Sequence, residues 1–276
     1  MGLKSLLPRF LKPTIHFIHV IEPRNQGDML CYPYLYFKKY FKRYNCKIHS
    51  TKNIDFGSIS TRDTVVLASG GCFECLDRFQ DAINTLLDIN DCVIGWGCGH
   101  NAHPDRPVYW HIDFSKFKLL GVRDYNYPGQ KYVPCVSAMH PLLEMHQETV
   151  RPIGVIEHQD FPITEFPFDK TDHRRSMYDI CRFIAESDGI ITNTYHCAYW
   201  AQLMNKKVIL YKPWSTKFDY FRHQPVVYSG NLAKDIEQAK TYPGFLKESR
   251  DINRVFFKEV TLRQHSRRKL LCHHIR

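Results

Sequence analysis

The chain lacks a Gly-x-x-x-x-Gly-Lys-Ser/Thr loop and a Gly-x-Ser-x-Gly elbow, which argues against P-loop nucleotide hydrolysis and α/β-hydrolase chemistry. Asp-x-Asp occurs nowhere, so the usual metal and diphosphate motif of one large class of sugar transferases is missing. Gly-x-Gly-x-x-Gly is missing too, and with it any ground for a nicotinamide cofactor. Cys72-Phe73-Glu74-Cys75 has C-x-x-C spacing, but no second pair stands at zinc-finger distance, and Cys272-His273-His274 is isolated at the end. No metal and no cofactor is expected. Leu3, Leu6, Leu7, Phe10 and Leu11 are too few, and too interrupted by basic residues and prolines, for a transmembrane span. Their alternatives are a segment packed on the body or a basic amphipathic turn lying on a membrane.

What is present is a foldable chain. With 276 residues, 43% hydrophobic and 14% aromatic, it exceeds the usual size of one core, and two domains are expected. The formal net charge of +10 points to anionic partners. Much of it is terminal, in Lys4, Arg9, Lys12, Arg263, Arg267, Arg268, Lys269 and Arg276, read either as solvated ends or as peripheral contact with an acidic membrane surface. Ten cysteines scattered through a mid-sized chain without a secretory leader read as reduced thiols, so a cytoplasmic location is expected.

Taken in order, Thr14 to Ile21 is a buried strand, followed by a Gly-containing loop with Asp28 where a helix N-cap would sit. Leu30, Tyr34, Phe37, Phe41 and Tyr44 recur at helical spacing over Met29 to Tyr44 despite Pro33, and a strand at Cys46 to His49 completes a β-α-β unit. Thr64 to Ala68 is a strand running into Ser69-Gly70-Gly71, and Cys92-Val93-Ile94 is another, ending at Gly95-Trp96-Gly97-Cys98-Gly99. A helix covers about Glu74 to Leu87 between them. Phe117 to Asp124 is a strand ending in Arg123-Asp124, which is either an anion contact or a surface pair. After Pro141 to Pro152 the pattern restarts with a strand ending at His158, a helix over Arg174 to Glu186 and a strand at Gly189 to Ile191. Asn193 to His196 then fall at the start of a short helix, where free N–H groups and the helix dipole favour an anion, although Asn193 or Thr194 could simply cap it. A further strand, Val208 to Tyr211, follows, and Phe245 to about Leu271 is helix-compatible. Strands that end in small or polar loops along one rim mark the ligand edge of an open α/β sheet.

These segments together resemble the polysaccharide pyruvyl transferase family, whose fold is similar to the GT-B glycosyltransferases. The resemblance rests on Asn25-Gln26-Gly27-Asp28, Ser69-Gly70-Gly71, Gly95 to Gly99, Gly121-Val122-Arg123-Asp124, Val133-Pro134 and the stretch Ser187 to Leu210, in that order. It implies an α/β fold of two Rossmann-like domains facing each other across a cleft: residues 1–145 on the acceptor side, 146–245 on the donor side, and 246–276 as a helix returning to the first domain with a basic tail. Where the family carries an Arg-Leu pair ahead of the histidine, this chain has Thr194 and Tyr195. That removes a bidentate anion contact and leaves the donor open.

The expected function is metal-independent sugar transfer from a nucleotide-sugar donor to a glycan hydroxyl. Pyruvyl transfer from phosphoenolpyruvate as a ketal is the alternative, and a non-catalytic glycan-binding protein on a transferase fold is a second one. The partners are then a phosphorylated donor and a glycan acceptor, with no nucleic acid. Asp28 is the candidate general base, and His196 the candidate contact and proton donor for the departing phosphate. Asn25, Gly27, Gly70, Gly71, Gly97, Arg123, His158, Asn193, Thr194 and Tyr195 are the candidate binding residues.

Overall fold

The computed structural model describes residues 12–109 and 111–273, with side chains described as far as Leu262. The N-terminal amphipathic turn, the side chains of the basic end and the Cys272-His273-His274 run lie outside what is described. The fold is mixed α/β with two parallel sheets.

The first sheet uses β1 (Thr14–His19), β2 (Asn45–Ser50), β3 (Thr64–Leu67), β4 (Val93–Cys98), β5 (Leu119–Val122) and β6 (Lys131–Tyr132), in the order β2-β1-β3-β4-β5-β6. Helices α1 (Gln26–Met29), α2 (Tyr34–Phe41) and α3 (Asp77–Ile89) lie between these strands in the chain. The second sheet uses β7 (Arg151–Glu157), β8 (Lys170–Asp172), β9 (Ser187–Thr192), β10 (Lys207–Leu210) and β11 (Val226–Val227), in the order β11-β10-β9-β7-β8. Its helices are α4 (Met177–Ala185), α5 (Tyr195–Leu203) and α6 (Leu232–Gln238). Every strand pairing is parallel. Strands such as β3 and β4 are buried along their whole length, which is why they read as continuous apolar runs rather than as alternation.

Three local features differ from the sequence reading. The single helix expected over Met29 to Tyr44 is two, because Pro33 has no N–H to continue the ladder and instead stands at the N-cap of α2. The N-cap of α1 is Asn25, not Asp28: the Asn25 side chain accepts from the Asp28 backbone N–H at 3.3 Å and donates to the Asp28 carboxylate at 2.8 Å. Strand β8 escaped notice because Lys170-Thr171-Asp172 is a polar edge strand with no apolar signal.

The last helix, α7 (Phe245–His273), begins on the second core, where Phe245 packs edge-on to Tyr199, and continues onto the first. There Phe256 and Val260 are fully buried with Phe17, Phe37 and Trp96, each such side chain contributing about 1.5–3 kcal/mol. Buried Asn253 accepts from the Trp96 indole N–H at 2.8 Å and donates to the Pro134 carbonyl at 3.1 Å. Trp96 is thus a core anchor. Among the described residues no helix is long and apolar enough to cross a membrane.

Candidate functional site

In each sheet the strand order reverses once, between β1 and β3 in the first and between β7 and β9 in the second. Successive connections diverge there and leave a crevice beyond the carboxyl ends of the strands. A cavity of about 480 Å³ opens at these points, lined by the loops after β1, β3 and β4 and the end of β5 on one side, and after β7, β9 and β10 on the other. The two sides are tied where Ala102 and Thr216 exchange hydrogen bonds, the Ala102 N–H to the Thr216 hydroxyl at 2.9 Å and the Thr216 N–H to the Ala102 carbonyl at 3.0 Å.

Arg123 leaves the end of β5 and is only 3% exposed, with its guanidinium carbon 3.8 Å from the centre of the Tyr195 ring. No carboxylate pairs with it among the described residues, and its Nε and Nη1 have no hydrogen-bond partner. Burial opposes its charge, but Tyr195, Asp124 and the nearby thiols outweigh that and raise its pKa further. Asp124 accepts from the His100 backbone N–H at 2.6 Å through Oδ2 while its Oδ1 has no partner, and with both residues buried the two do not form a surface pair. The glycines beside Arg123 clear its space. A Cβ at Gly71 would stand 2.9 Å from Nη2, and one at Gly99 would overlap Nε. The Asn101 Oδ1 and Ser69 Oγ atoms, also on the cavity wall, are unpartnered as well. Buried polar groups are nearly always paired, so four such atoms around one cavity make it the candidate site.

Lys217, in the turn after β10, supplies a second cation that the sequence reading did not single out. Its ammonium lies 3.6 Å from the Trp214 ring centre and has no ion pair among the described residues. Desolvation, reinforced by the Arg123 charge, lowers its pKa to about 7, with Asp28 and Cys75 opposing. Trp214 is held by an indole N–H bond to the Asn193 carbonyl at 3.3 Å and is flanked by His103, His158 and Phe161. His158 stacks on His173 at 4.5 Å, and desolvation with that neighbour lowers its pKa to about 4, so it is neutral. The signal for Lys217 was its place after a strand of the same rim; a single lysine has no spacing pattern to mark it.

Asp28, Asn25, Gly27, Gly71, Arg123, His158, Thr194, Tyr195 and His196 all line this cavity. Desolvation raises the Asp28 pKa against the pull of His196, Arg123 and Lys217, which suits a carboxylate that takes up a proton. His196, in the first turn of α5, turns Nε2 toward two thiols, 3.3 Å from Cys31 Sγ and 3.7 Å from Cys135 Sγ. Its ring rests on Gly27, where any Cβ would overlap Nδ1. The thiols themselves are 3.5 Å apart and unbonded, a cluster that the sequence reading missed.

Three of the expected residues stand behind the wall. Gly70, at φ +60°, packs on Cys31 and Arg123. Gly97, at φ +61°, admits the Pro134–Cys135 backbone to 3.3 Å of where its Cβ would be. Asn193 does not cap α5: its side chain accepts from the His158 N–H at 2.8 Å and donates to the Phe161 carbonyl at 2.7 Å, fixing the turn that carries His158. The C-x-x-C pair is unbonded, with Cys72 buried and Cys75 on the cavity wall.

No protein-family model matches the chain, and no curated protein matches it either. Among solved structures, a functionally uncharacterized protein from Klebsiella pneumoniae is similar at a TM-score of 0.48 and 15% identity, over 72% of this chain and 83% of that one.

Proposed function

We propose that the chain is a glycan-modifying transferase that moves a sugar from a nucleotide-sugar donor to a glycan hydroxyl, its two Rossmann-like halves acting as the facing domains of a GT-B-like enzyme. The observation that carries this reading is Arg123, a buried guanidinium with two unpaired nitrogens at a cavity that also holds the unpaired Lys217. A buried guanidinium without a paired carboxylate is costly unless an anion completes it, and Lys217, with its pKa lowered to about 7, regains its charge when that anion arrives. The start of α5 adds free backbone N–H groups to the same place. The donor's diphosphate is the group they would receive.

In this reaction the acceptor oxygen forms a bond to the anomeric carbon while the bond from that carbon to the diphosphate breaks. The hydroxyl proton passes to Asp28, and the charge left on the diphosphate is met by Arg123 and Lys217. With His196 Nε2 facing the thiols, cations rather than a proton neutralise the leaving group. Trp214 and a volume of about 480 Å³ favour a donor with a sugar and a base over the three-carbon phosphoenolpyruvate.

Pyruvyl transfer is the second reading, favoured by the order of the glycine-bearing motifs and weakened by Thr194 and Tyr195 at the Arg-Leu positions. A thermal-shift panel separates the two, since a ligand at 100 times its dissociation constant stabilises by about 2.7 kcal/mol. Nucleotide sugars or nucleoside diphosphates are expected to raise the melting temperature. A shift with phosphoenolpyruvate alone would reverse the order, and no shift with either would favour a non-catalytic glycan-binding protein.

A further inference from the structure

We propose that Cys31, Cys135 and His196 form a site for one thiophilic cation, Zn(II). The ligand atoms are spaced for it. Around a tetrahedral zinc with Zn–S of about 2.3 Å and Zn–N of about 2.0–2.1 Å, neighbouring donor atoms stand about 3.5–3.8 Å apart. Here the two sulfurs are 3.5 Å apart, and His196 Nε2 is 3.3 Å from Cys31 and 3.7 Å from Cys135. Two thiols and an imidazole are the donor set that selects soft cations, and three protein ligands with one open position are the pattern of reactive zinc sites.

The surroundings hold these atoms in place. Cys31 follows α1, Cys135 follows β6, and His196 opens α5, so segments from both sheets must assemble before the three meet. Gly27 fixes the ring with Nε2 turned inward. Ser137 accepts a hydrogen bond from the Trp200 indole N–H at 3.0 Å, which leaves its hydroxyl proton free to donate to Cys135 Sγ at 3.2 Å. An O–H donor on a ligating sulfur is the kind of outer contact that tunes a metal site. Cys31 now donates to the Gly27 carbonyl at 2.8 Å and would give up that contact as both thiols release their protons to solvent and two Zn–S bonds form. His196 lines the cavity while Cys31 and Cys135 are buried beyond it, so the site lies just behind the cavity wall.

The test uses the full chain, reduced and stripped with a chelator, then titrated with Co(II) and next with Zn(II). The expected result is one Co(II) per chain, a near-ultraviolet thiolate charge-transfer band, and loss of the band as Zn(II) replaces it. Cys31→Ser and Cys135→Ser should each weaken Zn(II) binding by more than about 100-fold, since losing an outer contact alone costs 10–100-fold. Cys46→Ser, on β2, should not change it. Absence of the thiolate band in the wild type overturns the proposal, as does a band of undiminished intensity and unchanged Co(II) midpoint in both serine variants. Should either serine variant fail to fold, His196→Gln reports the nitrogen ligand by the same titration, and unchanged affinity there also overturns it. Metal-free protein that still binds a nucleotide sugar would leave the transfer reading intact whichever way the titration falls.

Discussion

Lys217 makes the donor site pH-dependent in a way that can be calculated. Its ammonium titrates near 7 in the folded protein, and a bound diphosphate beside it and Arg123 restores the preference for the charged form. Binding therefore takes up a proton, about 0.5 per site at pH 7 and about 0.9 at pH 8 for one group with a pKa of about 7. Apparent affinity follows the protonated fraction and falls about 50-fold between pH 7 and pH 9. The donor to use is a nucleotide sugar, because its diphosphate diester stays fully ionised over that range. Desolvation lowers the imidazoles of His103, His158 and His173 below their ordinary range, so these neighbours are neutral in the same window. Calorimetry in two buffers of different ionisation enthalpy reads the proton uptake directly. Lys217→Met should abolish both the uptake and the slope. An unfolded chain keeps this proton to about 10.5 whereas the folded one releases it near 7, so wild-type stability should rise with pH between those values, and the variant should lack that rise. A wild type whose affinity is flat from pH 7 to 9, or a Lys217→Met protein with the same slope, refutes the placement of Lys217 against the donor.

Arg123→Met should weaken donor binding by about 10–150-fold, the equivalent of about 1.5–3 kcal/mol for charge-assisted hydrogen bonds, while leaving the melting temperature of the empty protein unchanged or higher. Calorimetry and thermal unfolding of that variant check the two halves separately. Gly99→Ala, whose Cβ would overlap Arg123 Nε, should lose affinity in the same direction by displacing the guanidinium, and normal binding would show that its position is not what matters. Asp28→Asn should lower turnover far more than donor affinity, because Asn25 and not Asp28 caps α1; unchanged turnover would remove Asp28 from the chemistry. Truncation after Leu262 should yield soluble, folded protein, since Asn253, Phe256 and Val260 precede the cut, and loss of soluble protein would show that the later turns carry the packing.

The strands and the rim were legible because buried parallel strands are continuous apolar runs and their exits are rich in Gly, Asn and Asp. Arg123 was visible as a charge at the end of such a run. Its burial was not, because that depends on Gly71 and Gly99, from two other strand exits, leaving room for its side chain. Glycines at strand exits allow close approach by a ligand or by another backbone, and at Gly97, expected among the binding residues, it is the Pro134–Cys135 backbone that approaches. Cys31 and Cys135 lie 104 residues apart and share no motif, so only the tertiary fold could bring their sulfurs together. Pro33 in a helical pattern was readable as a break, and the spacing of Leu30 with the aromatic residues after Pro33 concealed it.

The most direct test of the donor site is a crystal structure of the protein with a nucleotide sugar. The account predicts diphosphate oxygens within about 3 Å of Arg123 and Lys217 nitrogens, at the start of α5, with the sugar toward Asp28. A nucleotide bound elsewhere, or one whose phosphates face solvent while Arg123 stays unpaired, would contradict it.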